Sequence, residues 1–391
     1  MHQLDEKYRL PDLSSADDIE SILIIRFKAL GDIVLTLPII RALRQRFPHA
    51  RMVYVVFDRF REALNGDTGL DEVVAFPQRF LSRLSFFKEI RRRRFDLVLD
   101  LISSPVSAYI TYFSGAKYRI GMDVGRQGWC YTSLLPRVLM SEGKRLKIYT
   151  FDSNIEIVKS LNLRYDFRHR AASNDSDASR DRADARSGST RFGEDFYSIG
   201  FPAATTEERW ASEYIGSLRS GDGPLIGVVA AAKYQAKSWP VEKFIKLCNS
   251  LVEGLGARIT LIWGPGERDT VESLNRGVPE SVMIPEVGIA KLGAIVSRLD
   301  LLVGVDSGPK HIAVLQGVPT VTLFGPTDPR IWDPMNDIHR AVYLDLPCSP
   351  CGKKKCGKNR CMTEIKVSTV VEIASNLIGA RSGNKIAGRE E

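Results

Sequence analysis

At 391 residues the chain is too long for one ordinary core and suits two domains. With 44% hydrophobic and 26% charged residues it has a globular composition, and no apolar run approaches the roughly 18 residues that span a bilayer. The net charge of +8 lies almost wholly in the first 150 residues, which fits an anionic partner (a phosphorylated acceptor, a membrane surface or nucleic acid) or simply a solvated surface.

The N-terminal extension, 1–20, is polar and acidic and lacks the apolar heart of a signal peptide, so a cytoplasmic protein is expected. From residue 21, short β-rich runs alternate with helical patterns. Ser21 to Phe27 reads as a buried strand, Ile33 to Phe47 as a helix, and Arg51 to Phe57 and Phe95 to Leu101 as further strands. These units predict a first doubly wound α/β domain over 21–165. The stretch 166–195 mixes Ser, Asp, Arg and Ala with almost no large apolar side chain, and is expected to be a flexible linker or insertion. Strand patterns resume at Leu225 to Ala230, Arg258 to Trp263, Leu299 to Val305 and Thr320 to Phe324, with a helix over Val241 to Gly254. They predict a second Rossmann-like domain over 196–381, followed by a loose tail at 382–391. Two such domains would face each other across a cleft able to hold two substrates.

Candidate site residues stand where strands give way to helices. Asp32, in the turn Lys28-Ala29-Leu30-Gly31-Asp32, is either a helix cap or a carboxylate that accepts a hydroxyl proton. Lys237, before Ser238-Trp239-Pro240, is either one surface lysine among many or a charge that meets a departing phosphate. Glu267, in Trp263-Gly264-Pro265-Gly266-Glu267, is an exposed turn residue or a ligand for ribose hydroxyls. In Asp306-Ser307-Gly308-Pro309-Lys310-His311, Pro309 suits the first helical turn and leaves the amides of Ser307 and Gly308 free to cradle a pyrophosphate. The competing account is plain turn chemistry, with His311 a packed or capping histidine.

Taken together, KALGDIVLTLP, KSWP, WGPGE, DSGPKHIAVLQGVPTVTLFGPTDP and CSPCGKKKCGKNRCM resemble, in this order, glycosyltransferase family nine, which contains the ADP-heptose:lipopolysaccharide heptosyltransferases. The resemblance covers roughly residues 20 to 380. It implies a GT-B fold and inverting transfer of heptose from ADP-heptose to the lipopolysaccharide inner core, either Kdo-lipid A or an already heptosylated core. It implies that Asp32 is the catalytic base, that Lys237 meets the donor phosphates, and that Glu267 lies near the nucleoside ribose. Asp306, Ser307 and Gly308 match the family's donor-binding motif and His311 its histidine; Lys310 departs from the small or apolar residue expected there. No cofactor is required for transfer on this resemblance, and no nucleic acid is implied.

Four cysteines, Cys348, Cys351, Cys356 and Cys361, fall in a C-x2-C-x4-C-x4-C pattern. Their spacing allows a structural Zn²⁺ site, redox-labile thiols among lysines, or an Fe–S cluster. Cys130 and Cys248 read as core residues. The segment Arg79 to Phe95 mixes aromatics with the run Arg91, Arg92, Arg93 and Arg94. It is expected to contact the anionic acceptor or the cytoplasmic face of the inner membrane, unless it is an ordinary solvated helix face. The alternatives to a heptosyltransferase are a related transferase with another nucleotide-sugar donor, or a non-catalytic protein that binds anionic ligands.

Overall fold

The computed structural model describes residues 10–13, 16, 18–66, 68–123, 126–135, 140–141, 144–145, 148–163, 199–219 and 221–387. The expected linker at 166–195 lies outside the described residues, as do 1–9 and 388–391.

The first part of the chain forms a sheet of six parallel strands: β1 (Ser21–Ile25), β2 (Arg51–Val56), β3 (Glu72–Ala75), β4 (Leu97–Asp100), β5 (Tyr118–Met122) and β6 (Ser133–Leu135). A two-stranded hairpin, β7 (Met140–Ser141) with β8 (Lys144–Arg145), follows. The second sheet, also parallel, contains β9 (Leu225–Val229), β10 (Arg258–Leu261), β11 (Val282–Met283), β12 (Leu301–Val305), β13 (Thr320–Leu323) and β14 (His339–Val342). The sheets belong to two separate compact units.

Strand order is the same in both: β3-β2-β1-β4-β5-β6 in one and β11-β10-β9-β12-β13-β14 in the other. The chain reverses direction across the sheet between β1 and β4, and again between β9 and β12. Ligands of open α/β sheets bind at such switch points, beyond the carboxyl ends of the strands. The central strands explain why the pattern was readable. SILII, LIGVV and LLVGV are continuous apolar runs, buried on both faces by helices, as a parallel sheet demands.

The helices of the first part are α1 (Leu30–Val34), α2 (Leu37–Arg46), α3 (Phe80–Arg92), α4 (Pro105–Ser114) and α5 (Thr150–Ser160). The single helix expected over Ile33 to Phe47 is two, because Pro38 cannot continue the α1 hydrogen-bond ladder and instead opens α2. From residue 205 follow α6 (Thr205–Leu218), α7 (Val241–Leu255), α8 (Arg268–Gly277), α9 (Ile289–Val296), α10 (Gly308–Leu315), α11 (Pro329–Trp332), α12 (Arg360–Thr363) and α13 (Val367–Ala387). The last of these carries helix to Ala387, into the stretch read as a tail. Phe244, Leu247, Cys248 and Leu251 of α7 recur at helical spacing and are fully buried against the second sheet. Burial pushes the Cys248 thiol up to about 12, so it stays an uncharged core group. Gly304 in β12 allows close strand approach: a Cβ there would meet the Val229 carbonyl oxygen at 2.4 Å.

Candidate active site

In the first unit Asp32 stands just past the carboxyl end of β1. Ala29, the residue before α1, has no side chain with which to cap it. Asp32, at the third helical position, reaches back and accepts a hydrogen bond from the Ala29 N–H at 3.1 Å. Its other oxygen accepts from Arg26, whose second Nη donates to the Leu101 carbonyl just beyond β4. The guanidinium thus spans the two strands of the switch point and fixes the carboxylate between them. The Arg26 and Asp32 side chains remain 22% and 20% exposed, so the carboxylate is reachable from solvent.

Beneath this pair lies Asp100, completely buried at the end of β4. It accepts from the Ser103 N–H at 2.8 Å, the Ile102 N–H at 3.1 Å and the Tyr131 hydroxyl at 2.9 Å. Burial is the largest influence and raises its pKa above the ordinary carboxylate value, although each of these donors pulls the other way. Asp100 pins the turn that presents the Leu101 carbonyl to Arg26. Neither Arg26 nor Asp100 was picked out from the sequence. The available signal was a charged residue at the end of an otherwise apolar strand run, in SILIIRF and FDLVLDL.

In the second unit the carboxyl ends of β9 and β12 bring several candidates together. Lys237, in the short turn after β9, donates to the Asp306 carboxylate at 2.5 Å and to the Asp306 carbonyl at 3.3 Å. Thr327, beyond β13, donates its hydroxyl to the same carboxylate at 2.9 Å. Burial on its own would raise the Asp306 pKa, but the charges of Lys237 and Lys310 outweigh it and hold the carboxyl below its usual range. Asp306 is therefore an anion that orients Lys237, leaving its charge at the mouth of the switch point.

Ser307 precedes α10 in extended conformation, with Gly308 and Pro309 as the first two helical residues. The geometry leaves first-turn amides without intrahelical partners and directs the positive end of the helix outward. Ser307 Oγ and His311 Nδ1 are both buried without a hydrogen-bond partner among the described residues. The two groups lie within one helical turn, beside the Lys237–Asp306 pair. Burial and then the Lys310 charge hold His311 well below the usual histidine value, so the ring is neutral at pH 7. His311 Nε2 stands 3.8 Å from the Asp306 carboxylate, too far for a hydrogen bond.

Lys310 points the other way. It is fully buried, donates to the Trp332 carbonyl, and lies 3.5 Å from the equally buried Asp333 carboxylate. It serves the packing of α10 against α11. Glu267 lies one strand over, in the turn after β10, where its carboxylate accepts the Gly264 N–H at 2.9 Å. Burial raises its pKa above the ordinary glutamate value.

The cysteine segment packs against the turn that carries Lys237. Ala236 N–H donates to the Lys354 carbonyl at 3.1 Å, Cys356 N–H to Gln235 Oε1 at 3.0 Å, and Asn359 Nδ2 to the Ser238 carbonyl at 3.0 Å. Cys348 and Cys351 are exposed, Cys356 is half-buried, and Cys361 is buried beside Gly325. Among the described residues no three His, Cys, Asp or Glu side chains are grouped so that they could hold a metal ion. Cys356 stands among backbone donors and lysines. The Asn359 and Lys358 amides, and then the charges of Lys353 and Lys358, lower its pKa.

The arginine run is not one surface. Arg93 is tied to Glu72 at 2.7 Å and Glu89 at 3.0 Å and is mostly covered. Arg94 takes a left-handed backbone conformation that ends α3, with φ of 51°. Arg91 and Arg92 are exposed, although Arg92 pairs with Glu89. All four stand where α3 returns to the start of β4, at the amino edge of the sheet. Asp32 stands at the carboxyl edge, a strand length of about 16 Å away.

The sequence matches glycosyltransferase family 9 (heptosyltransferase) over residues 83–361. Lipopolysaccharide heptosyltransferase 3 of Escherichia coli K12 is 22% identical over 322 residues, covering 78% of this chain and 83% of that protein. Lipopolysaccharide heptosyltransferase 1 of Pseudomonas aeruginosa is 29% identical over 134 residues, a match that spans 34% of this chain and only 38% of that protein. The structure of E. coli ADP-heptose lps heptosyltransferase II superposes with a TM-score of 0.67 at 18% identity, over 93% of this chain and 99% of that one. This is a likeness of fold, two Rossmann-like domains of the GT-B class. On the family match over most of its length, the chain belongs to glycosyltransferase family 9, the heptosyltransferase family.

Proposed function

We propose that this glycosyltransferase moves heptose from ADP-heptose to the inner core of lipopolysaccharide, with inversion at the anomeric carbon, at the cytoplasmic face of the inner membrane. The observation that carries this reading is the anion site at the β9–β12 switch point, where Lys237 is oriented by Asp306 beside the orphaned Ser307 Oγ and His311 Nδ1. The helix start and Lys237 meet the pyrophosphate, while Glu267, one strand over, accepts from the ribose hydroxyls.

In the reaction, an acceptor hydroxyl oxygen bonds to the anomeric carbon as the bond from that carbon to the diphosphate breaks. The leaving electron pair goes to ADP, where Lys237 and the first-turn amides of α10 stabilise its charge. The hydroxyl proton passes to Asp32, held by Arg26 and the Ala29 amide. These contacts let Asp32 both complete the helix start and act as base, since each leaves a lone pair on the carboxylate. Lysine and helix dipole meet the leaving charge, so the reading needs no cofactor.

Calorimetric binding of ADP, UDP and GDP, followed by transfer from ADP-heptose to a Kdo-lipid A or heptosylated acceptor, tests the proposal. Selective ADP binding together with transfer supports it. Preference for UDP or GDP replaces the donor, and folded protein that binds no nucleotide overturns the reading. No helix among the described residues is long and apolar enough to cross a membrane, so the proposal places contact with the bilayer on the surface of the fold.

A further inference from the structure

Helix α4, PVSAYITYFS, contains no charged residue. Ala108, Ile110 and Thr111 bury one side of it. On the other side, where a solvated helix would carry polar groups, stand Tyr109 (41% exposed), Tyr112 (42%) and Phe113 (53%). Trp129, the most exposed large apolar residue described at 59%, joins them. Its ring centroid is 5.0 Å from that of Tyr112 and 6.2 Å from that of Tyr109. Phe113 in turn meets Phe87 of α3 edge-on at 5.8 Å. Such a contiguous aromatic surface is uncommon on a monomer and marks a contact site.

Beside these rings lies an open hollow of about 800 Å³ between the ends of α3 and α4, rimmed by Lys88, Arg91, Arg92 and Arg119. Lys88 has no ion-pair partner among the described residues. Aromatic rings with polar edges, next to basic groups, match the boundary between acyl chains and anionic headgroups.

We propose that the aromatic face of Tyr109, Tyr112, Phe113 and Trp129, with its rim of Lys88 and Arg92, is where this protein docks on an anionic lipid bilayer. The proposal rests on the reading that the acceptor is a membrane-anchored glycolipid, and it gives that reading a surface. The hollow belongs to the amino edge of the first sheet, whereas Asp32 lies at the carboxyl edge. Docking there therefore leaves the base uncovered and lifts it off the bilayer, where the sugars of a glycolipid project.

The test is co-sedimentation of the full chain with vesicles of phosphatidylethanolamine and phosphatidylglycerol, and with vesicles of phosphatidylcholine alone. Binding should favour the anionic vesicles and weaken with salt. Lys88→Ala and Arg92→Ala should each lower it about fivefold, the effect of one basic group near an anionic surface. Phe113→Ser combined with Trp129→Ser should lower it about tenfold, while Trp129→Phe retains it. Circular dichroism confirms that each variant is folded. Unchanged binding by the double variant, or equal salt-independent binding to both vesicle types, overturns the proposal. So does a wild-type dimer that the double variant dissociates without changing vesicle binding, since the face would then belong to a second copy. Transfer to a delipidated soluble acceptor should be unaffected by the double variant. Its absence in the wild type would refute the transferase reading without touching the vesicle result, which keeps the two failures apart.

Discussion

Arg26 and Asp32 form an ion pair that bridges the switch point of the first sheet, with the same guanidinium bound to the Leu101 carbonyl beyond the neighbouring strand. The proposed base is therefore held by the end of β4 as well as by its own helix.

Replacing Asp32 with Asn keeps the size and the contact with the Ala29 amide but removes the basic oxygen. Transfer should fall by at least about a thousandfold, while ADP binding, which the proposal assigns to the other unit, changes less than about twofold. Steady-state kinetics and calorimetry on one preparation measure both. A near-normal rate in Asp32→Asn refutes the assignment.

Arg26→Met should lower kcat about tenfold with little change in the donor KM, because it loosens the carboxylate without removing it. Arg26→Lys should recover only part of that loss, since an ammonium cannot bridge Asp32 and Leu101 as a planar fork does. Equal losses in kcat and in donor affinity would mean that Arg26 acts through general stability instead.

Lys237→Met should weaken ADP binding at least about tenfold and also lower the melting temperature, because it leaves the buried Asp306 carboxylate with Thr327 as its remaining side-chain donor. The double variant Lys237→Met with Asp306→Asn should recover the melting temperature but not the affinity. Calorimetry and thermal melts separate the two effects.

Lys310 and Asp333 are buried together, so removing either partner strands a charge. Lys310→Met or Asp333→Ala should each destabilise the fold by about 3 kcal/mol, with the double variant losing less than the sum. Additive losses in urea titrations would show that the pair is not coupled.

Two buried neutral histidines contribute to the acid response. His339 is depressed to about 3 by burial and then by the Lys310 charge, and His311 is also held well below its ordinary value. Both bind a proton more readily unfolded than folded, so their contribution is complete above about pH 6.5 and is lost as pH falls below it. For His339 this continues toward pH 3. Stability measured between pH 6.5 and 4 should fall by up to about 1.4 kcal/mol per pH unit for each histidine. His339→Gln should remove one such contribution from the slope; an unchanged slope would show that His339 is not responsible.

The apolar runs of β1, β2, β4, β9, β10, β12 and β13 were legible because a strand buried on both faces must be apolar throughout. The short or half-covered β3, β5, β6, β11 and β14 were not, since their burial depends on neighbours distant in sequence. The same contrast holds at the site. Asp32, Lys237, Glu267 and the Asp306–His311 segment stand in strand-to-helix turns, where local chemistry marks a position as special. Only the tertiary structure decided what those side chains touch: Arg26 at Asp32, Asp306 and Thr327 around Lys237, Asp333 beneath Lys310. It also tied the cysteine loop to Gln235 and Ser238, and withdrew Arg93 from the basic run by pairing it with Glu72. Spacing along a chain fixes which groups are near in sequence. Their geometry and charge state depend on desolvation and on partners brought by strands that the chain reaches tens of residues later.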